Sequence, residues 1–239
     1  CAILWWIKRR STNDASSQSE KTTQAGYRQT VMTLHAYGCS LTYGQALKDC
    51  QGEKSGPGPN PSKFAWPVLL ADQLGIDCIN HSIPGGNNKY IIHKLTQTQI
   101  DPNDIVVIQW SYFARWVFFG DEEQHEGPWK SPHSNFYKTV WNAEDCKFNN
   151  RILIDYAWLH LKDIGCRFVF ASVEKGQKAF WVDEDLEYMF DDVDFRSAKF
   201  DYKSIKDFQL DLALDNRHPG PQSHKKYAEY LAKLPILAG

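Results

Sequence analysis

The chain has 239 residues, 42% of them hydrophobic, and its 27 lysines and arginines against 29 acids leave a net charge of -2. That length and apolar content suit one large α/β domain better than two small ones, with enough chain to bury a sizeable core. A near-neutral balance without a basic patch offers nothing to neutralise phosphates, which excludes a nucleic-acid binder held by charge.

In chain order, residues 1–7 are apolar, Lys8, Arg9 and Arg10 are basic, and 11–24 form a polar stretch of low complexity. An apolar run this short cannot span a bilayer, which takes about 20 residues, and its charge follows the apolar stretch, the reverse of a signal peptide. Residues 1–30 are expected to be a disordered or non-native extension, with Met32 as the natural start and a single domain over 31–239. The apolar run 31–37 predicts a first strand that ends at the small-residue turn Gly38-Cys39-Ser40, and 41–50 a helix start. Residues 51–62, rich in Gly and Pro, read as a loop. Helical apolar spacing (Phe64, Val68, Leu69, Ala71, Leu74) predicts a helix over 64–74 that stops at Gly75.

A short strand over 76–80 leads into a turn at Gly85, and Ile91, Ile92 and Leu95 predict a helix over 88–98. The continuous apolar run 105–110 reads as a buried parallel strand. Residues 111–141 are irregular and aromatic-rich, 145–164 form an amphipathic helix, and 166–173 form another buried strand. The charged, aromatic stretch 174–211 is expected to be loop with short helices, and 222–234 the closing helix. Strands alternating with helices predict a parallel sheet with helices on both faces. Ser40, Gly85 and Ser111 each follow a predicted strand, where functional loops of such sheets gather.

The stretch Asp215-Asn216-Arg217-His218-Pro219-Gly220 carries the chemistry. Proline and glycine stop a helix there, and the turn can hold a carboxylate against one imidazole nitrogen while the other stays free for a hydroxyl. With Ser40 it supplies nucleophile, base and base-orienting acid. Each residue also has a plainer reading. Ser40 could bond local backbone, and Cys39 is a competing nucleophile, although adjacent side chains point in different directions. His218 could cap the last helix or join Asp215 and His224 on a metal, although His224 reads better as packing or capping. Gly85 follows Pro84, where a missing Cβ lets a backbone N–H approach a ligand, yet most such pairs are plain turns. Arg115, among Trp110, Tyr112, Phe113 and Trp116, reads either as a substrate clamp or as a tie to the acidic segment 183–194.

The six cysteines contain no Cys-x-x-Cys pair, so no structural zinc is expected. Cys78 and Cys166 read as small apolar residues beside buried strands. No metal and no cofactor is called for, and no membrane partner. A reduced, cytoplasmic protein is expected, or a virion-associated one if phage-encoded.

These residues resemble the SGNH (GDSL-type) hydrolases, in the divergent form common in phage and bacterial genomes. Ser40 matches the block I serine, with Gly38-Cys39-Ser40 in place of Gly-Asp-Ser. The stretch from Asn80 to Asn88 resembles block II, with Gly85 as the oxyanion-binding glycine, and Asp215 and His218 match block V. Block III departs: Gln109-Trp110-Ser111-Tyr112 replaces Gly-x-Asn-Asp, so the oxyanion asparagine is missing. The resemblance covers about residues 32–234. It implies a three-layer α/β/α sandwich with a mainly parallel sheet, and hydrolysis of a carboxylic ester through an acyl-enzyme. It also implies a small acyl group such as acetyl, carried on a carbohydrate. Asn88 first, then Ser111, with Asn87 also considered, are the expected stand-ins for the lost donor. The alternative is a catalytically inactive binding module of a phage particle or glycan-processing assembly.

Overall fold

A computed structural model describes residues 32–52, 56–119, 124–126, 139–173, 198–201 and 203–237. The expected extension over 1–30 lies outside the described residues, as do the acidic segment 183–194 and much of 174–211.

Five parallel strands form the central sheet: β1 (Thr33–Tyr37), β2 (Asp77–Asn80), β3 (Ile105–Trp110), β6 (Arg167–Ser172) and β7 (Ala198–Asp201), in the order β2-β1-β3-β6-β7. A two-stranded antiparallel ribbon, β4 (Trp116–Phe118) with β5 (Gln124–Glu126), leaves the sheet after β3. The strands alternate between two apolar cores, as the period of two in a pleated strand requires. Leu34, Ala36, Ile105, Val107 and Val169 face one side, where they meet α2 (Trp66–Leu74) and α5 (Pro221–Leu231) through Trp66, Leu70, Tyr227 and Leu231. Tyr37, Val106, Ile108, Trp110, Phe168 and Phe170 face the other, against α3 (Asn88–Gln97) and α4 (Ala143–Ile164) through Ile91, Leu95, Trp158 and Leu161. Both faces of β3 are buried, which is why 105–110 is apolar at every position but Gln109. The architecture is the three-layer α/β/α sandwich that the sequence predicts.

Local signals set most helix ends. The Asn87 side chain accepts the Tyr90 N–H at the start of α3, and Asn142 accepts the Glu144 and Asp145 N–H groups at the start of α4. Gly75 and Gly165 end α2 and α4 in left-handed conformation. Two expectations change. The helix start at 41–50 is a single turn, α1 (Ser40–Tyr43), because left-handed Gly44 ends it. The segment expected as loop with short helices holds one such helix, a 3₁₀ turn at Ile205–Phe208 capped by Ser204 and Asp207, but also a strand, β7. Among the described residues no helix is long and apolar enough to cross a membrane.

Candidate active site

Because every strand of the main sheet is parallel, the segments after β1, β2 and β3 all emerge at one edge. From β1 the chain crosses to β2 on one side, and from β3 to β6 on the other. Loops diverge at such a switch and leave a crevice at the carboxyl ends of the strands. Ser40 and Ser111 follow the two strands that flank it.

The Ser40 turn is built by close approach. A Cβ on Gly38 would lie 2.0 Å from Thr42 Oγ1, so only glycine fits before the turn. The Thr42 and Tyr43 N–H groups donate to the Cys39 carbonyl. Thr42 fastens the turn to both neighbouring strands. Its hydroxyl donates to Gln109 Oε1 at 2.8 Å, and its carbonyl accepts from Asn80 Nδ2 at 2.9 Å. Neither the Ser40 hydroxyl nor the Ser40 N–H has a hydrogen-bond partner among the described residues. Cys39 is fully buried in the core beneath α2 and α5, which removes it as a competing nucleophile.

Gly85 has φ +74, and a Cβ there would meet nothing within 4 Å, so it stands at an open position in left-handed conformation. Its N–H has no acceptor among the described residues. Gly86 abuts the Ser40 segment, since a Cβ on it would lie 3.0 Å from the Gly38 carbonyl oxygen. Behind this turn stand Asn88, Ser111 and Arg115. Asn88 Oδ1 accepts the Ser111 N–H at 2.7 Å, while Nδ2 donates to the Ser111 carbonyl at 3.1 Å and to Asn150 Oδ1 at 2.7 Å. The Ser111 hydroxyl donates to the Gly86 carbonyl at 2.7 Å. The donors expected to replace the missing asparagine are therefore committed: Asn88 and Ser111 clasp the β3 exit to the Gly85–Gly86 turn. Arg115 Nη1 donates to the Gly86 carbonyl and to Ser111 Oγ, both at 3.1 Å, and its guanidinium stacks on Tyr112. These contacts tie Arg115 to the glycine turn, while the acidic segment 183–194, offered by the sequence as its partner, lies outside the described residues.

On the other side of Ser40, residues 211–220 fold back on themselves through the antiparallel bridge between Leu212 and Pro219. The tip holds Asp215 and His218 in contact. His218 Nδ1 lies 2.5 Å from Asp215 Oδ2, and Asp215 Oδ1 accepts the Arg217 and His218 N–H groups at 3.0 Å each. Burial pushes the Asp215 carboxyl up, but the His218 N–H, the His218 ring and the Arg217 N–H together hold it below the usual carboxylate range. Two contacts fasten this loop to the chain just beyond Ser40. The Leu214 N–H donates to the Ala46 carbonyl at 3.1 Å, and Ala213 packs with Leu47 and Ala65. His218 Nε2 has no hydrogen-bond partner among the described residues. It does not bond the Ser40 hydroxyl, so the two loops meet without that link closed.

Asp211, which the sequence reading passes over, anchors the loop to α5. Its carboxylate accepts the Gln222 and Ser223 N–H groups and the Ser223 hydroxyl. A Cβ on Gly220 would sit 2.5 Å from the Asp211 Cγ, so the glycine makes room for this cap. His224 turns inward and is buried to 1% exposure, with Nδ1 accepting the Trp66 N–H at 3.1 Å. It packs between α2 and α5 as expected, away from the metal alternative. Among the described residues no three His, Cys, Asp or Glu side chains group to hold a metal.

No family model matches the sequence, and no curated protein matches it. Solved structures do match the fold. An acetyl xylan esterase from Butyrivibrio proteoclasticus superposes with TM-score 0.54 at 11% identity, covering 84% of this chain and 62% of that one. A family two carbohydrate esterase from Cellvibrio japonicus gives 0.52 at 13% identity, covering 87% and 62%. A carbohydrate esterase described as having divergent catalytic and non-catalytic binding functions gives 0.55 at 10% identity, covering 84% and 63%. The chain thus spans a little under two thirds of the length of these esterases. The chain shares the fold of these carbohydrate esterases.

Proposed function

We propose that the protein hydrolyses carboxylic esters borne on carbohydrate, with Ser40 as nucleophile, His218 as base and Asp215 as its orienting acid. One observation carries this reading. A carboxylate-paired imidazole with a free Nε2 sits on a loop hydrogen-bonded to the segment that follows an unpartnered serine hydroxyl. In catalysis Ser40 Oγ adds to the ester carbonyl as its proton passes to His218 Nε2. Asp215 keeps Nδ1 protonated and stabilises the imidazolium. The Ser40 and Gly85 N–H groups, both without acceptors among the described residues, receive the oxyanion. Collapse expels the alcohol with the His218 proton, and water, deprotonated by His218, releases the acid from Ser40. Closing the gap between Ser40 and His218 belongs to the substrate-bound state, since catalytic hydrogen bonds often tighten only there.

The fold relatives are esterases acting on carbohydrate, which supports the substrate class. The test is a fluorophosphonate probe on the full chain. Labelling that disappears in Ser40→Ala supports the assignment, whereas ester hydrolysis surviving Ser40→Ala rejects it. A second reading, an inactive glycan-binding module, draws on the commitment of the Asn88 amide and the Ser111 hydroxyl, which leaves two backbone donors for the oxyanion. It predicts no labelling of folded wild-type protein.

A further inference from the structure

A cavity of about 200 Å³ lies between α3, β4 and α4, with Lys89, Arg115, Trp116, Asn149, Ile152 and Leu153 in its wall. Arg115 separates it from the Gly85–Gly86 turn, because the same guanidinium donates to the Gly86 carbonyl and the Ser111 hydroxyl. Among the described residues the wall contains two cations and no acid. The Lys89 ammonium lies 3.5 Å from the Val117 carbonyl and over the rings of Trp116 and Phe119, at 5.4 and 5.3 Å from their centroids. No carboxylate among the described residues pairs with it. A lysine held against aromatic rings is partly desolvated, which strengthens its attraction for an incoming anion. Trp116, Ile152 and Leu153 add apolar wall. The Asn149 side chain spends its Nδ2 on Asp145 and keeps an acceptor oxygen. The volume is below that of cavities for drug-sized ligands, which run to about 300–1,000 Å³, and suits one ring.

We infer that this cavity is a subsite for a carboxylate-bearing sugar unit of the substrate, with the carboxylate on Lys89 and the ring against Trp116. The inference rests on the ester-hydrolase reading, and its test separates the two. Full-length protein is titrated with glucuronate, glucose and acetate by calorimetry, in wild type, Lys89→Met, Lys89→Arg and Ser40→Ala. Turnover of p-nitrophenyl acetate and thermal melting are followed in parallel. Glucuronate should bind at least tenfold more tightly than glucose or acetate. Lys89→Met should lose that preference tenfold or more while keeping melting temperature and p-nitrophenyl acetate turnover, and Lys89→Arg should restore it. Ser40→Ala should bind glucuronate as wild type does. Equal affinity for glucuronate and glucose overturns the subsite, as does glucuronate affinity unchanged in Lys89→Met. Glucuronate binding without any hydrolysis by wild type removes the catalytic reading and leaves the subsite standing.

Discussion

His224 offers a test whose size follows from its surroundings. Its ring is buried between α2 and α5, and Nδ1 must be unprotonated to accept the Trp66 N–H. Burial pushes its pKa from 6.5 down to about 3, against a smaller upward pull from Asp211 and with a further push from His218. A folded value below the unfolded one means that acid favours the unfolded chain. The stability is fully present above pH 6.5 and drains away as pH falls toward 3. Each pH unit is worth about 1.4 kcal/mol, so a drop to pH 5 costs about 2 kcal/mol. Any folded pKa below about 4 gives nearly the same cost, because the unfolded value sets it. In His224→Asn the carboxamide oxygen can take the place of Nδ1 and accept the Trp66 N–H without titrating. Urea melts at pH 7 and pH 5 on both proteins measure the difference of differences. His35 and His81, also held neutral by burial, are common to both and cancel. The variant should start less stable at pH 7, from lost packing, yet lose about 2 kcal/mol less than wild type on going to pH 5. Equal losses in the two proteins would refute the buried-neutral assignment.

Asp215→Asn should leave the fold intact and cut ester turnover about 10⁴-fold, by favouring the wrong His218 tautomer; steady-state kinetics on p-nitrophenyl acetate reads this directly. Gly38→Ala forces a methyl onto Thr42 Oγ1 and should cost about 1–3 kcal/mol in a chemical melt, with loss of probe labelling at Ser40. Asn88→Ala strips Ser111 and Asn150 of buried partners; a loss of about 2–4 kcal/mol in stability is expected, accompanying any loss of activity. Gly85→Ala meets no clash but must hold φ near +74, which should cost about 1–2 kcal/mol and leave a cooperative melt.

What the sequence made legible was local or periodic. The run 105–110 is a strand to the residue, because burial on both faces leaves apolar side chains everywhere but at Gln109, which Thr42 pairs. Gly75 marks the end of α2, as expected, by its left-handed conformation. Strand β7 stayed hidden because Ala198–Asp201 is short and mixed in character, and becomes a strand by pairing with β6. The Asp215–His218 pair was readable from its spacing. Its anchor Asp211 was not, since a cap reaching across residues 211–223 has no sequence signature. Asn88 and Ser111 looked like spare donors because their partners, Asn150 and Gly86, are distant in sequence or on the backbone.

The hydrogen bond from the Leu214 N–H to the Ala46 carbonyl joins an early part of the polypeptide to a late one. During synthesis, strands β1 to β3 can pair while the ribosome still shelters residues 211–231. The serine is therefore exposed long before its imidazole arrives. On the proposed mechanism, a nascent chain should remain chemically silent until the closing helix docks, so assembly of the sandwich and onset of turnover become a single late event.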